Sequence, residues 1–334
     1  MIGPVETTDY HTGGEPFRIV TRGVPTPEGR TILERRRWAR EHLDDVRQFL
    51  VNEPRGHADM YGAFVTPPDD DGADLGVVFF HNEGYSTACG HGTIALVTWA
   101  IDTGRVALEP DARSVDVTID VPSGRLPCTA RIAVDGSVVA VRFRNIPSFV
   151  LARGVTVETS RGPLSLDIAF GGAFYGSLDV RRLGLGLTPL DLPALIALQR
   201  ELRPALEAAL DISHPDAPEL SGLYGVIFWE ALDDAEQRNL TVFADGELDR
   251  SPCGSGTSAR LAILHVGGEL ATGQRFRHRS IIDSVFDAWV VDDGPPIGGR
   301  PSVITEVEGV AFRTGHHVFE LDDRDELGTG FLLR

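Results

Sequence analysis

The apolar positions of this chain fall into runs of different character, and the character changes at two glycine-flanked cysteines. Residues 75–80 (LGVVFF) and 240–243 (LTVF) are short runs rich in Val and Phe and predict strands. Residues 94–101 (IALVTWAI) and 259–266 (ARLAILHV) follow glycines, contain no proline and predict mostly buried helices. Gly104 and the pair Gly267-Gly268 stand where C-terminal helix caps are expected. Alternation in 115–121 (VDVTIDV) and 138–143 (VVAVRF) predicts two more strands. Residues 192–210 predict a longer helix, with Asp191 to cap it, Pro193 in its first turn and Pro204 to kink or split it. Cys128, in LPCTARIAV, reads as a strand residue with a small apolar side chain.

The pattern repeats. At an offset of 164 residues, the separation of Cys89 and Cys253, residues 77–104 lie on 241–268 without a gap. Identities fall at Val78/Val242, Phe79/Phe243, Glu83/Glu247, Cys89/Cys253, Gly90/Gly254, Gly92/Gly256, Thr93/Thr257, Ala95/Ala259 and Gly104/Gly268. Upstream, Gly13-Gly14 in HTGGEPFRIV matches Gly171-Gly172 in AFGGAFYGSL at an offset of 158. Each half therefore reads as a Gly-Gly strand segment, a strand, a turn, a C-G-x-G-T motif and a helix. The halves are placed at residues 1–150, carrying Cys89, and 151–334, carrying Cys253, with the C-terminal segment free to pack back on the first half.

Length and charge narrow the field. The 334 residues suit two domains of ordinary size. With 31 basic against 49 acidic residues the net charge is −18, which repels nucleic acid and anionic membrane. An anionic or zwitterionic substrate must then be held by local donors. No apolar stretch of about 18 residues predicts a membrane span, and the start, MIGPVETTDYHTGGEP, lacks the basic and apolar regions of a signal peptide. Three cysteines, an odd and sparse count, argue against a disulfide framework and for a reducing, cytoplasmic setting.

Each C-G-x-G-T motif sits between a strand and a helix start, where unpaired N–H groups and the helix dipole converge. A cysteine there is expected to have a lowered pKa, and the glycines let backbone N–H groups approach an anion closely. Two such motifs on duplicated halves give two cysteines able to face one another across a pseudo-twofold cleft. That suits inversion at carbon, in which a proton leaves one face and another returns on the opposite face, so that a base and an acid are both needed. The α-proton of an amino acid is weakly acidic, so the base must be held close and dipoles must await the growing carboxylate charge. No lysine-based pyridoxal signature and no metal cluster is evident, and the mechanism is read as running without a cofactor. His91, two residues after Cys89, and Asp249, four before Cys253, are the polar neighbours that would hold a substrate amine or tune a thiol. The alternative for Asp249, in LDRSPCG, is a turn or helix cap.

At DYHTGGEPFRIV (9–20), NEPRGHADMYGAF (52–64), CGHGT (89–93), IPSF (146–149), DIAFGGAFYG (167–176) and DRSPCGSGTSA (249–259) the sequence resembles the proline racemase family, over nearly the whole chain. The resemblance implies a diaminopimelate-epimerase-like α/β (α+β) fold, two pseudo-symmetric halves each with strands wrapped around a central helix. It implies Cys89 and Cys253 as the acid/base pair, His91 and Asp249 at the substrate nitrogen, and backbone groups of Gly90, Gly254 and Ser255 at the carboxylate. It also implies a small-molecule partner, proline or hydroxyproline, with a homodimer left open.

Within that family, proline racemases and 4-hydroxyproline 2-epimerases carry the second cysteine, whereas trans-3-hydroxy-L-proline dehydratases have Thr there and do not return a proton. Cys253 favours inversion. EPRGHADMYGA, HNEGYS and the LGTGFLLR tail resemble the dehydratase branch; Ala88 stands where Met is usual, and Ser255 where Thr is common in the racemases. The dehydratase is therefore the first alternative. A Cys89–His91 hydrolase lacks a third orienting group and has its pair too close in sequence; a zinc site from Cys89, His91 and Cys253 lacks the usual ligand spacing; a non-catalytic amino-acid binding protein would not need two thiols. Arg55, Tyr61 and Phe64 are candidates for lining the cleft.

Overall fold

The computed structural model describes residues 2–333. The chain forms two compact units, Met1–Phe143 with Val310–Arg334, and Arg144–Gly309. Relative to the halves read from the sequence, residues 144–150 go with the second unit and 310–334 with the first.

The first unit begins with β1 (Val5–Thr12) and β2 (Glu15–Arg22), a hairpin turning at Gly13-Gly14, whose φ angles of 59° and 89° suit glycine. Helices α1 (Ile32–His42) and α2 (Asp44–Val51) follow, then β3 (Tyr61–Thr66), β4 (Leu75–His81), α3 (Gly90–Asp102), β5 (Ser114–Val121), β6 (Gly124–Ile132) and β7 (Val138–Arg144). β4 is buried at all seven positions, which explains its unbroken apolar run. Val78 and Phe80 pack with residues of α1 and α2 such as Ile32, Ala39 and Phe49. On the opposite face of the strand Phe79 meets Phe17, ring centroids 6.2 Å apart, and Phe17 lies under Gly92 of α3. Helix α3 is buried from Gly90 to Ile101.

The second unit comprises β8 (Ser148–Thr159), β9 (Gly162–Phe170), β10 (Phe174–Asp179), α4 (Leu192–Ala209), β11 (Leu223–Asp233), β12 (Glu236–Phe243), β13 (Glu247–Asp249), α5 (Gly254–Val266), β14 (Phe276–Ser280), β15 (Val285–Ile297) and β16 (Arg300–Gly309). Its strands close on themselves in the order β8, β9, β10, β11, β12, β14, β15, β16 and back to β8. Helix α5 runs inside, buried from Gly254 to Leu264, against β8, β9, β10, β15 and β16. The chain ends with β17 (Ala311–Phe319), which pairs antiparallel with β1.

The repeat seen in the sequence recurs as a repeat of pairings. In the first unit β1–β2 is antiparallel, β2–β3 parallel, β3–β4 antiparallel and β4–β5 parallel. In the second, β9–β10, β10–β11, β11–β12 and β12–β14 follow the same alternation. β17 stands to β1 as β8 stands to β9. That position beside β1 is filled by the strand Ala311–Phe319.

The predicted strands and buried helices form, and Gly104 and Gly268, at φ 69° and 74°, follow the helix ends as expected. Two details of α4 differ. Pro204 lies inside it without splitting it; the side chain is exposed, so the hydrogen bond that proline forfeits is lost on the solvent side. Asp191 occupies the N-cap position but makes no cap bond, because its Oδ2 accepts instead from the Gly186 N–H at 3.1 Å and the Thr188 hydroxyl at 2.9 Å. Cys128 is buried on β6, as read. No described helix is long and apolar enough to cross a membrane.

Candidate active site

The sequence-predicted residues assemble into two local sites, one at the start of α3 and one at the start of α5. At the first, Cys89 is the N-cap, in extended conformation at φ −155° and ψ 97°. Its sulfur accepts from the Gly92 N–H at 3.3 Å. The Thr93 hydroxyl donates to the Cys89 carbonyl at 2.8 Å. These contacts leave the N–H groups of Gly90 and His91, the first two of the helix, without an intrahelical acceptor. A Cβ on Gly92 would lie 2.7 Å from the Cys89 sulfur and 2.3 Å from the Phe17 ring. The glycine is there because sulfur and ring come so close.

The His91 imidazole lies beside the thiol, with Nδ1 3.6 Å and Nε2 3.5 Å from Sγ. Near-equal distances put the sulfur off the axis of either ring N–H. Tyr61 and Phe17 pack edge-on against the imidazole, at 5.1 and 5.6 Å between centroids. Burial pushes the His91 pKa down to about 3. The ring is therefore neutral and lends the Cys89 sulfur no positive charge. Tyr61 donates its hydroxyl to Ser86. Of the other cleft candidates, Phe64 is buried in the core under α1 and α2. Arg55 donates to the carbonyls of Phe49 and Gly328 and lies 4.2 Å over the Phe49 ring, which fastens the C-terminal segment to the first unit.

At the second site Cys253 caps α5 with φ 63° and ψ 98°, a left-handed conformation that side chains other than glycine's rarely take. A Cβ on Gly256 would come 2.9 Å from its sulfur, repeating the close approach at Gly92. Asp249 ends β13 opposite Thr241 of β12. Its Oδ1 accepts from the Ser251 N–H at 2.8 Å and the Ser251 hydroxyl at 2.7 Å. The turn-capping alternative for Asp249 is thus realised, and realised within reach of the thiol. Burial raises the Asp249 pKa to about 6, against the Ser251 bonds and the Cys253 thiol that favour the carboxylate.

The expectation of a lowered cysteine pKa reverses at Cys253. Burial, and then the Asp249 charge, push this thiol well above the ordinary range; the Gly256 N–H and the Thr241 and Tyr175 hydroxyls pull the other way and do not prevail. The helix terminus assists the thiolate, but a desolvated sulfur facing a carboxylate holds its proton.

Tyr175 was not singled out in the sequence. Its hydroxyl lies 2.7 Å from Ser255 Oγ and 3.9 Å from Cys253 Sγ. A signal existed: at the 158-residue offset of the Gly-Gly pairs, Tyr175 falls on Phe17, and at the 164-residue offset of the cysteines Ser255 falls on His91. One aromatic from the strand after the Gly-Gly pair thus meets the second residue after the cysteine in each unit, as Phe17 with His91 and as Tyr175 with Ser255.

A model of the proline racemase family matches residues 7–332. The chain is 45% identical over 335 residues to a 3-hydroxyproline 2-epimerase of Burkholderia multivorans, covering 99% of this chain and 98% of that protein. It is 44% identical over 329 residues to a trans-3-hydroxy-L-proline dehydratase of Bacillus cereus, covering 98% and 97%. Among solved structures, a hydroxyproline epimerase of Agrobacterium vitis with bound trans-4-hydroxy-L-proline superposes with a TM-score of 0.91 at 31% identity, over 99% of this chain and 96% of that one. A methylitaconate-delta-isomerase, at 14% identity and a TM-score of 0.53, shares the fold alone. The architecture is the diaminopimelate-epimerase-like α/β fold that the resemblance implied, and the chain belongs to the proline racemase family.

Proposed function

We propose that the chain is a cofactor-independent 2-epimerase of a hydroxyproline, with Cys89 and Cys253 as paired acid and base. One observation carries the reading: the second C-G-x-G-T frame keeps a thiol, Cys253, at the N-cap of α5, matching Cys89 at the N-cap of α3. A single thiol suffices to remove an α-proton; a second in an equivalent frame supplies the proton that inversion must return. A thiolate sulfur takes the proton from Cα, and the electron pair left on carbon delocalises into the carboxylate. First-turn N–H groups of Gly90, Gly254 and Ser255 stabilise that charge. The other thiol delivers its proton to the opposite face, and the thiols have exchanged protonation states. Asp249 and His91 lie beside the thiols, where a carboxylate and a neutral imidazole can accept hydrogen bonds from a ring ammonium. Cys253, facing Asp249, is the partner that rests protonated.

The relative named a 3-hydroxyproline 2-epimerase puts 3-hydroxyproline first among substrates to try; proline and 4-hydroxyproline follow. The second reading, dehydration of trans-3-hydroxy-L-proline, is favoured by the relatives of that name. It needs proton removal at Cα and departure of the 3-hydroxyl, with no proton returned to Cα. Proton NMR in D₂O with each substrate separates them. Deuterium at Cα with inverted configuration, lost in Cys253→Ser, supports epimerisation; loss of the Cα signal with formation of an imine overturns it for dehydration.

A further inference from the structure

The two cysteines occupy matched frames with unmatched polar neighbours. Beside Cys89 stand a neutral imidazole and the bare ring of Phe17. Beside Cys253 the equivalent positions hold two hydroxyls, Ser255 and Tyr175, 2.7 Å apart, with the phenol 3.9 Å from the sulfur. All three groups are buried, Tyr175 at 1% exposure and Cys253 at 6%, so water competes little for these bonds. Tyr175 is seated by packing with Ile227, Ala259 and Ile263 and by edge-on contact with Tyr224 at 5.8 Å, so its oxygen is fixed.

We propose that Tyr175, held by Ser255, is a positioning residue that sets the readiness of the Cys253 thiol to give up and take back its proton. Each hydroxyl carries one proton and can turn. When Cys253 is a thiol, its S–H turns to the Asp249 carboxylate or to the phenol oxygen, and the phenol donates to Ser255. When Cys253 is a thiolate, Ser255 donates to the phenol and the phenol donates to sulfur. The pair therefore serves both protonation states without moving a heavy atom. Beside Cys89 no hydroxyl stands at the place of Tyr175, because Phe17 occupies it.

A role in turnover rests on the epimerase reading, but the effect on the thiol does not, and the test separates them. Tyr175→Phe installs in the second unit the residue the first already has. Loss of one hydrogen bond to the thiolate raises the Cys253 pKa by about one unit. Thiolate falls about tenfold, and the greater nucleophilicity of the more basic sulfur restores about threefold. Alkylation of Cys253 by iodoacetamide at pH 8, followed by mass spectrometry without substrate, should slow about threefold, with Cys89 in the same protein as an unchanged control. Ser255→Ala, which removes the partner of the phenol, should slow Cys253 in the same sense and serves if Tyr175→Phe does not fold. The α-proton exchange of the single-thiol Cys89→Ser protein gives the same comparison where the probe does not reach the sulfur. An unchanged Cys253 rate, or equal slowing at Cys89, overturns the proposal. Absence of both inverted and dehydrated product with every substrate overturns the epimerase reading and leaves the alkylation result to stand alone.

Discussion

The Ser251 hydroxyl ties Asp249 to the backbone of Cys253: its Oγ donates to the Asp249 carboxylate at 2.7 Å and accepts the Cys253 N–H at 3.1 Å. One buried carboxyl thereby fixes the backbone that presents the thiol and also biases the proton on it.

This coupling gives a pH signature. The Asp249 pKa is raised to about 6, so between about pH 4 and pH 6 the folded protein holds a proton that the unfolded chain has released. The sign follows: this group lowers stability as pH rises through that window and adds no further change above it, by an amount on the order of 3 kcal/mol. Asp249→Asn removes the effect. Urea unfolding of both proteins from pH 4 to 8 should show the native protein losing stability relative to the variant up to about pH 6 and a constant difference above; a flat difference would remove the buried carboxyl from the account.

His278 works in the opposite sense. It is buried, its Nδ1 is 2.8 Å from the Thr257 hydroxyl at the first turn of α5, and burial takes its pKa down to about 3. For a base with a depressed folded pKa, stability is complete above the unfolded value of about 6.5 and is lost as pH falls toward 3. His278→Gln, which keeps a hydrogen-bonding group but cannot charge, should retain more of its neutral-pH stability at pH 4 than the native protein retains. Thermal melts at pH 7 and pH 4 read this directly.

Cys253→Ser should reduce inversion by at least about 100-fold, the lower range of what a positioned acid or base contributes, while Cys89 still removes a proton from one face. Chiral chromatography of the product beside mass-spectrometric deuterium uptake distinguishes the two events. Equal turnover in variant and native protein would end the two-thiol mechanism.

Gly92→Ala forces a methyl to within 2.3 Å of the Phe17 ring and 2.7 Å of the Cys89 sulfur. Overpacking of this kind costs about 1–3 kcal/mol, and here it also displaces the sulfur that the proposed mechanism uses. A drop in melting temperature together with at least a tenfold loss of kcat is expected. Cys128→Ala provides the contrast: Cys128 is buried on β6 with its S–H toward the Leu126 carbonyl at 3.4 Å, and its loss should leave kcat within about twofold.

The sequence made the motif-bearing parts legible because they obey short-range rules. β4 reads as a strand since both faces are covered and every position is apolar; α3 and α5 read as buried helices since their glycine-rich starts are followed by unbroken apolar turns. The repeat of Cys89 at Cys253 placed both local sites. What escaped detection depends on tertiary context. Tyr175 resembles any core aromatic until Ser255 is seen opposite its hydroxyl. The rise in the Cys253 pKa comes from burial, which the motif does not encode. Pro204 predicts a kink or a split, but it lies on the exposed side of α4, which runs on unsplit. Arg55 and Phe64 carry chemistry-bearing or aromatic side chains, yet one fastens the chain end and the other fills a core.

The backbone at Cys253 suggests that the site works against the fold that carries it. At φ 63° a residue with a Cβ is held in a conformation costing on the order of 1–3 kcal/mol, which glycine would largely avoid. Cys253→Gly should then be a sturdier protein than the native one, melting higher while losing inversion. Random mutation screened for thermal hardiness alone would drift toward glycine at this codon, whereas the proposed inversion requires cysteine there.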